Sequence, residues 1–173
     1  DQMSYFIITA SAGHDTTSSW TAGAMWALAT VPGLLDRVKA DPSLIPNLVE
    51  EAIRWTTPVK TFMRSATADT ELRGRKIAKG DWLMLCYASG NRDEDVFDNP
   101  FTFDIDRNPN KQLAFGYGGH LCLGQHLARM EMKSLFERLL PKLKSVKLAG
   151  EPKMIESTFV NGLKRLPIEF EAA

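Results

Sequence analysis

Apolar residues recur at helical spacing from Met3 towards Thr30 and again after Cys122, while the chain between them breaks into shorter patterns. The first run predicts one long helix over residues 3–30, ended by Pro32-Gly33. Leu34, Leu35 and Val38 then predict a short amphipathic helix, which Asp41-Pro42 breaks. Pro46 suits the first turn of the next helix, where a missing N–H costs nothing; that helix leads to Trp55 and closes at Thr57-Pro58. From Phe62 to Cys86 the pattern changes to strand-like runs separated by Arg73-Gly74 and Lys79-Gly80, which predict hairpins. Residues 87–97 predict a short helix, and residues 99–112, with Pro100 and Pro109, an irregular meander. The helix after Cys122 should stop at Pro141, with strands near residues 144–148 and 167–170. The predicted fold is mainly α with small β-sheets, an α+β chain.

Composition changes this picture little. The chain has 173 residues, 44 % of them hydrophobic, enough for one core. Its 21 basic and 21 acidic side chains cancel, which gives no push towards nucleic acid or an anionic membrane. No apolar run reaches the roughly 18–20 residues of a membrane span. Cys86 and Cys122 stand in unrelated contexts without paired spacings, which points to a reducing compartment and a cytoplasmic location. Asp1 to Ile8 enters almost directly into the first apolar run, without a basic region or cleavage site.

The chemistry concentrates in Phe115-Gly116-Tyr117-Gly118-Gly119-His120-Leu121-Cys122-Leu123-Gly124. A glycine-rich loop delivers one cysteine to the start of a helix, where free N–H groups and the macrodipole suit a thiolate, the form that binds metal. Leu123, Leu127, Met130, Ser134 and Leu135 recur at helical spacing and would anchor that ligand on a rigid element. The glycines allow close approach of something flat and bulky. An isolated cysteine can equally be an inert small hydrophobe. Zinc on His120, Cys122 and His126 would want a fourth ligand, and no second cysteine or CxxC pair stands nearby. A dinucleotide loop needs Gly where Leu121 stands.

Two other segments break local rules. Ala12-Gly13-His14-Asp15-Thr16-Thr17 puts poor helix formers inside the long helix. Either the Thr hydroxyls and Gly open or bend that helix, or Asp15 or Thr16 caps the start of a second one. Glu51 and Arg54 lie three apart on one helical face, a spacing that also describes ordinary surface ion pairs.

The loop resembles the haem-binding signature of the cytochrome P450 family at every specified position, with Tyr117 keeping the ring of the more usual Phe. The resemblance runs over nearly the whole chain. It implies that residues 1–173 are the C-terminal part of a single haem-thiolate monooxygenase domain whose N-terminal part is missing. It further implies haem b (iron protoporphyrin IX) with Cys122 as the metal ligand. Phe115, Gly116, His120, Gly124, Ala12 and Gly13 would surround the cofactor, with Arg64 and His120 on its propionates. Asp15 and Thr16 would be the catalytic pair, relaying protons to dioxygen. Glu51 and Arg54 match the family's Glu-x-x-Arg, and Arg107, from Pro100-Phe101-Thr102-Phe103-Asp104-Ile105-Asp106-Arg107, would join them in locking the meander.

Substrate-pocket walls by the same resemblance are Ile8, Ala12, Val59, Phe62, Phe159 and Val160. Ala12 to Ser19, Arg54 to Lys60 and Cys122 to Ala128 look most like the soluble bacterial members that hydroxylate terpenes. The expected activity inserts one oxygen atom of dioxygen into a small apolar substrate, a terpenoid. Electrons would come from a ferredoxin or similar donor with an NAD(P)H-dependent reductase, docked on Lys111, Arg129 and Lys133. Alternatives are a thiolate-haem sensor, a peroxide-driven peroxygenase or an inactive fragment. Alone, the chain would leave Phe6, Ile7, Ile8 and Trp20 exposed to water.

Overall fold

The computed structural model of the chain describes residues 2–173; Asp1 lies outside the described residues. Helix α1 (Gln2–Thr30) is unbroken through residues 12–17, so the polar segment neither opens the helix nor starts a second one. The Thr16 hydroxyl bonds back to the Ala12 carbonyl at 2.9 Å, which satisfies it inside the helix. Helix α2 (Leu34–Ala40) follows, then a 3₁₀ turn (Pro42–Leu44) capped by Asp41, and helix α3 (Ile45–Thr56). Helix α3 ends where Thr57 turns left-handed at φ 38°, its N–H still reaching the Ile53 carbonyl.

Helix α3 forms the centre of the core. Its Leu48, Val49, Ala52 and Ile53 are buried against Trp20, Ala24, Ala27 and Leu28 of α1, Leu34, Leu35 and Val38 of α2, and helix α5 (Gln125–Leu139). Each large aliphatic side chain removed from water there contributes about 2 kcal/mol. At the α1–α3 crossing Gly23 faces Thr56, and a Cβ on Gly23 would lie 2.0 Å from the Thr56 Oγ1. Only a residue without a side chain lets the α1 backbone come this close to the Thr56 side chain.

The two ends of α1 differ. Trp20, expected to be exposed, is 4 % exposed because Phe115 and α3 cover it, whereas Met3, Tyr5, Phe6, Ile7 and Ile8 are each 58–67 % exposed. Helix α5 turns a different face inwards from the one its sequence suggested. Ala128, Met132 and Phe136 are buried, while Leu123 before the helix and Leu127, Met130 and Leu135 within it stand exposed.

The described residues contain four separate two-stranded antiparallel sheets. Strands β1 (Thr61–Ser65) and β4 (Trp82–Cys86) pair with Phe62 opposite Leu85 and Arg64 opposite Leu83. Between them, β2 (Thr70–Leu72) and β3 (Arg75–Ile77) form the hairpin turned by Arg73-Gly74, both at positive φ as a tight hairpin turn requires. The Lys79-Gly80 turn joins no paired strands, since β4 returns to β1. The helix expected over residues 87–97 shrinks to α4 (Tyr87–Gly90), because the Asp93 carboxylate accepts from the Asp95 N–H and folds the chain into turns. Pro141 sits within a closing 3₁₀ turn, Leu140–Lys142. The tail pairs β5 (Leu143–Leu148) with β8 (Ile168–Ala172), and β6 (Lys153–Met154) with β7 (Leu163–Arg165), the latter pair unforeseen in the sequence.

Candidate functional site

Cys122 lies on a loop, three residues before α5 begins. Its N–H donates to the Phe115 carbonyl at 2.9 Å and closes the loop at its base. Inside, Gly116 and Gly118 take φ 74° and φ 71°, a backbone region that a side chain would strain. Phe115 is buried edge-on against Trp20 at 5.0 Å, with the Arg129 guanidinium 4.5 Å from its ring centroid, so α1 and α5 clamp the base of the loop. The thiol is free and half-buried. Outward, Tyr117, His120, Leu121 and Leu123 are exposed, and a Cβ added at Gly118, Gly119 or Gly124 would meet nothing within 4 Å. The loop therefore holds a thiol on a rigid base beside an open surface.

Behind the loop lies a buried charge network. Glu51 and Arg54 are both fully buried. The carboxylate accepts from Arg54 Nη2 at 2.6 Å and Nε at 2.8 Å, from Arg107 Nε at 3.2 Å, from Asn110 Nδ2 at 3.0 Å and from the Asp104 N–H at 2.9 Å. Arg54 also donates to the carbonyls of Asn91, Pro100 and Thr102, and Arg107 to those of Asp98, Asn99 and Thr102. Three side chains thus tie α3 to the irregular stretch that leads into the cysteine loop.

Asn91 extends this network and escaped the sequence reading. Fully buried, it donates to the Thr57 Oγ1 at 2.8 Å and accepts from the Leu113 N–H at 2.8 Å, two residues before Phe115. In sequence it follows Gly90 and reads as an ordinary turn residue. Nearby, Lys60 Nζ and Arg92 Nη2 donate to the adjacent Thr56 and Trp55 carbonyls at the C-terminus of α3. Burial, and secondarily the charge of Arg92, lower the Lys60 pKa to about 8.

The acid and alcohol of α1 are not bonded to each other. Asp15 meets the His14 Nδ1 at 2.8 Å, while Thr16 points to the Ala12 carbonyl. Ala12, Gly13 and Asp15 are exposed and Thr16 is half-buried. Four expected pocket residues do come together. Phe62 and Phe159 stack edge to face at 5.4 Å, and Val59 bridges to Val160. Ile8 lies apart on the exposed end of α1. Arg64 donates to the Met63 carbonyl and sits over the Phe62 ring, and no protein carboxylate among the described residues pairs with it. A cavity of about 630 Å³ runs between α1, α5 and the tail, but of the expected site residues it touches only Gly13.

Two of the three cations expected to form the basic patch have partners within the chain. Arg129 forms an ion pair with Glu50 and covers Phe115, and Lys133 pairs with Glu137 at 3.6 Å. Arg129 braces the loop, while Lys133 stays half exposed at the surface.

Comparison with known proteins agrees with the geometry. The family model for cytochrome P450 matches residues 5–171. Cytochrome P450-terp of Pseudomonas sp is 58 % identical over 98 % of this chain, and the steroid C26-monooxygenase of Mycobacterium tuberculosis 41 % over 91 %. In each case the match covers 40 % of the relative, so the chain spans about two fifths of their length. The crystal structure of CYP108D1 from Novosphingobium aromaticivorans superposes with a TM-score of 0.94 at 60 % identity, over 98 % of this chain and 41 % of that one. No helix among the described residues is long and apolar enough to cross a membrane. With its thiol loop, its buried Glu51–Arg54–Arg107 network and these matches, the chain belongs to the cytochrome P450 family.

Proposed function

We propose that this chain is the C-terminal, cofactor-holding part of a haem-thiolate monooxygenase. The enzyme inserts one oxygen atom of dioxygen into a small apolar substrate, a terpenoid, and draws electrons from a ferredoxin or similar donor fed by an NAD(P)H-dependent reductase. The observation that carries the reading is Cys122: a free thiol on a glycine loop clamped between two helices, open on its outer side. The 58 % identity to cytochrome P450-terp favours the terpenoid.

The residues present fit haem b. Cys122 would hold the iron, and Arg64, unpaired with any carboxylate among the described residues, together with the exposed His120 would meet the propionates. Phe115, Gly116 and Gly124 would lie beneath the haem, and Ala12 and Gly13 would leave room beside it on α1. When bound, the cofactor supplies dioxygen binding and oxidation, favoured by electron donation from a thiolate.

The chain supplies the remainder. Thr16, whose proton is held by the Ala12 carbonyl, keeps its oxygen free to accept another hydrogen bond. Asp15, next to His14, can pick up a proton from water and pass it on, so the pair meters protons into the site. Val59, Phe62, Phe159 and Val160 give an apolar wall that orients the substrate and excludes water.

The long-wavelength band of a thiolate-ligated haem in a carbon monoxide difference spectrum of the full-length protein tests the reading, and its absence overturns it. Turnover with ferredoxin, reductase and reduced nicotinamide separates a monooxygenase from a sensor, which would not turn over, and from a peroxygenase, which would need only peroxide.

A further inference from the structure

Two contacts on one stripe of α1 leave no room for a side chain. Ser19 and Gly23 are four residues apart and stack on the same helical face. A Cβ on Gly23 would fall 2.0 Å from the Thr56 Oγ1, and a Cβ on Gly162 would fall 2.0 Å from the Ser19 Oγ and 2.7 Å from its Cβ. Each contact leads directly to a pocket wall: Thr56 precedes Pro58-Val59, and Gly162 follows Phe159-Val160. These two walls hold one another through the Val59–Val160 bridge and two backbone bonds of 2.8 Å, Lys60 N–H to Phe159 and Asn161 N–H to Pro58. A further bond, Ile155 N–H to the Gly162 carbonyl at 2.8 Å, fixes the glycine. On its other side the buried Ser19 donates its hydroxyl to the Asp15 carbonyl at 2.7 Å.

We propose that Ser19 and Gly162 form a positioning joint that registers the substrate-facing segment Phe159-Val160 against the α1 turn carrying Asp15 and Thr16. The joint rests on the monooxygenase reading above, and neither residue touches reacting atoms. A methyl at residue 162 cannot be relieved by turning the Ser19 hydroxyl away, because the Ser19 Cβ itself stands 2.7 Å from it. The segment must therefore retreat from α1, carrying Phe159 and Val160 with it. Misplacement on the order of 1 Å between substrate and catalytic groups costs up to ~100-fold in productive reaction.

In the full-length protein, Gly162→Ala should keep its haem content and thiolate spectrum. It should nevertheless lose at least ~10-fold in hydroxylated product per reducing equivalent, the difference appearing as peroxide. Amide hydrogen exchange at Asn161 and Ile155, measured without substrate or turnover, should accelerate. Ser19→Gly in the same protein removes the obstruction, leaving the Ser19 Cα 3.7 Å away as the nearest remaining contact, and should restore both coupling and exchange protection. If Gly162→Ala does not fold, the double variant must recover folding. Unchanged coupling and exchange in Gly162→Ala, or a defect that Ser19→Gly leaves unrepaired, overturns the joint. A wild-type protein lacking the thiolate-haem spectrum would overturn the monooxygenase reading instead, and the exchange data would still report on the contact.

Discussion

Glu51→Gln tests whether the buried charge network holds the cysteine loop in place. Glutamine keeps the shape of glutamate but replaces one acceptor oxygen with a donor. The Oε1 position now accepts from three donors, Arg54, Asp104 and Arg107, and the Oε2 position from two, Arg54 and Asn110. Whichever way the amide sits, its NH₂ faces at least two donors, and the fully buried guanidinium of Arg54 loses its counter-charge. Breaking a buried pair from one side costs about 3–5 kcal/mol. Against a total stability of about 5–15 kcal/mol that is a large fraction.

Urea unfolding of the full-length protein should show a lower midpoint with an unchanged slope, because the surface exposed on unfolding is the same. Haem retention should fall with it, since the Leu113 N–H that leads into the loop is held by Asn91, whose carbonyl Arg54 in turn holds. A cycle with Arg107→Met isolates the weaker arm, and coupling between the two sites should lie within about 0.5–3 kcal/mol. A Glu51→Gln protein within about 0.5 kcal/mol of wild type would refute this reasoning.

Cys122→Ser should abolish monooxygenation even where haem is retained; hydroxylation at a near-normal rate would sink the assignment of the thiolate. Thr16→Ala should consume reducing equivalents while releasing peroxide, and Asp15→Asn should turn over slowly, whereas unchanged coupling and rate would reduce the segment to a structural oddity. Gly23→Ala forces a methyl onto the Thr56 hydroxyl and should destabilise by about 1–3 kcal/mol, read as a drop in Tm, despite the better helix propensity of alanine. Lys60 binds its proton less tightly folded than unfolded, so the wild type should gain stability relative to Lys60→Met as pH rises from about 8 towards the ordinary lysine range. A pH-independent difference between the two proteins would count against a buried ammonium.

The helices were legible because their apolar periodicity is local. Leu48, Val49, Ala52 and Ile53 bury the face that their spacing predicts, and Arg73-Gly74 makes the turn that its chemistry predicts. Helix α5 was misread because it carries apolar residues on more than one face. Leu127 and Met130 compete with Ala128, Met132 and Phe136, and only the position of α3 decides which set is buried. Arg129 reads as a solvent-facing cation until Glu50, 79 positions earlier, is brought against it. The contact between Glu51 and Arg54 was visible as a spacing of three, but the carbonyls that Arg54 gathers from residues 91 to 102 carry no sequence signal, because any residue supplies a carbonyl. The same holds for Asn91 and for the close contacts at Gly23 and Gly162, which depend on what lies opposite.

These non-local contacts converge on one short stretch. Ser19 meets Gly162 of the tail, Trp20 meets Phe115 of the cysteine loop, and Gly23 meets Thr56 of α3. Residues 19–23 of α1 are therefore a short stretch at which α1 meets the tail, the cysteine loop and α3 together. Before this stretch the helix is held by nothing comparable among the described residues, and its side chains from Met3 to Asp15 stand exposed. Thr16, half-buried, marks the border. Asp15 and Thr16 occupy the turn next to the fixed stretch, and the Ser19 hydroxyl, donating to the Asp15 carbonyl, ties that turn to it. The proton-relay role proposed for Asp15 and Thr16 requires fixed geometry, and their link to residues 19–23 is what would supply it.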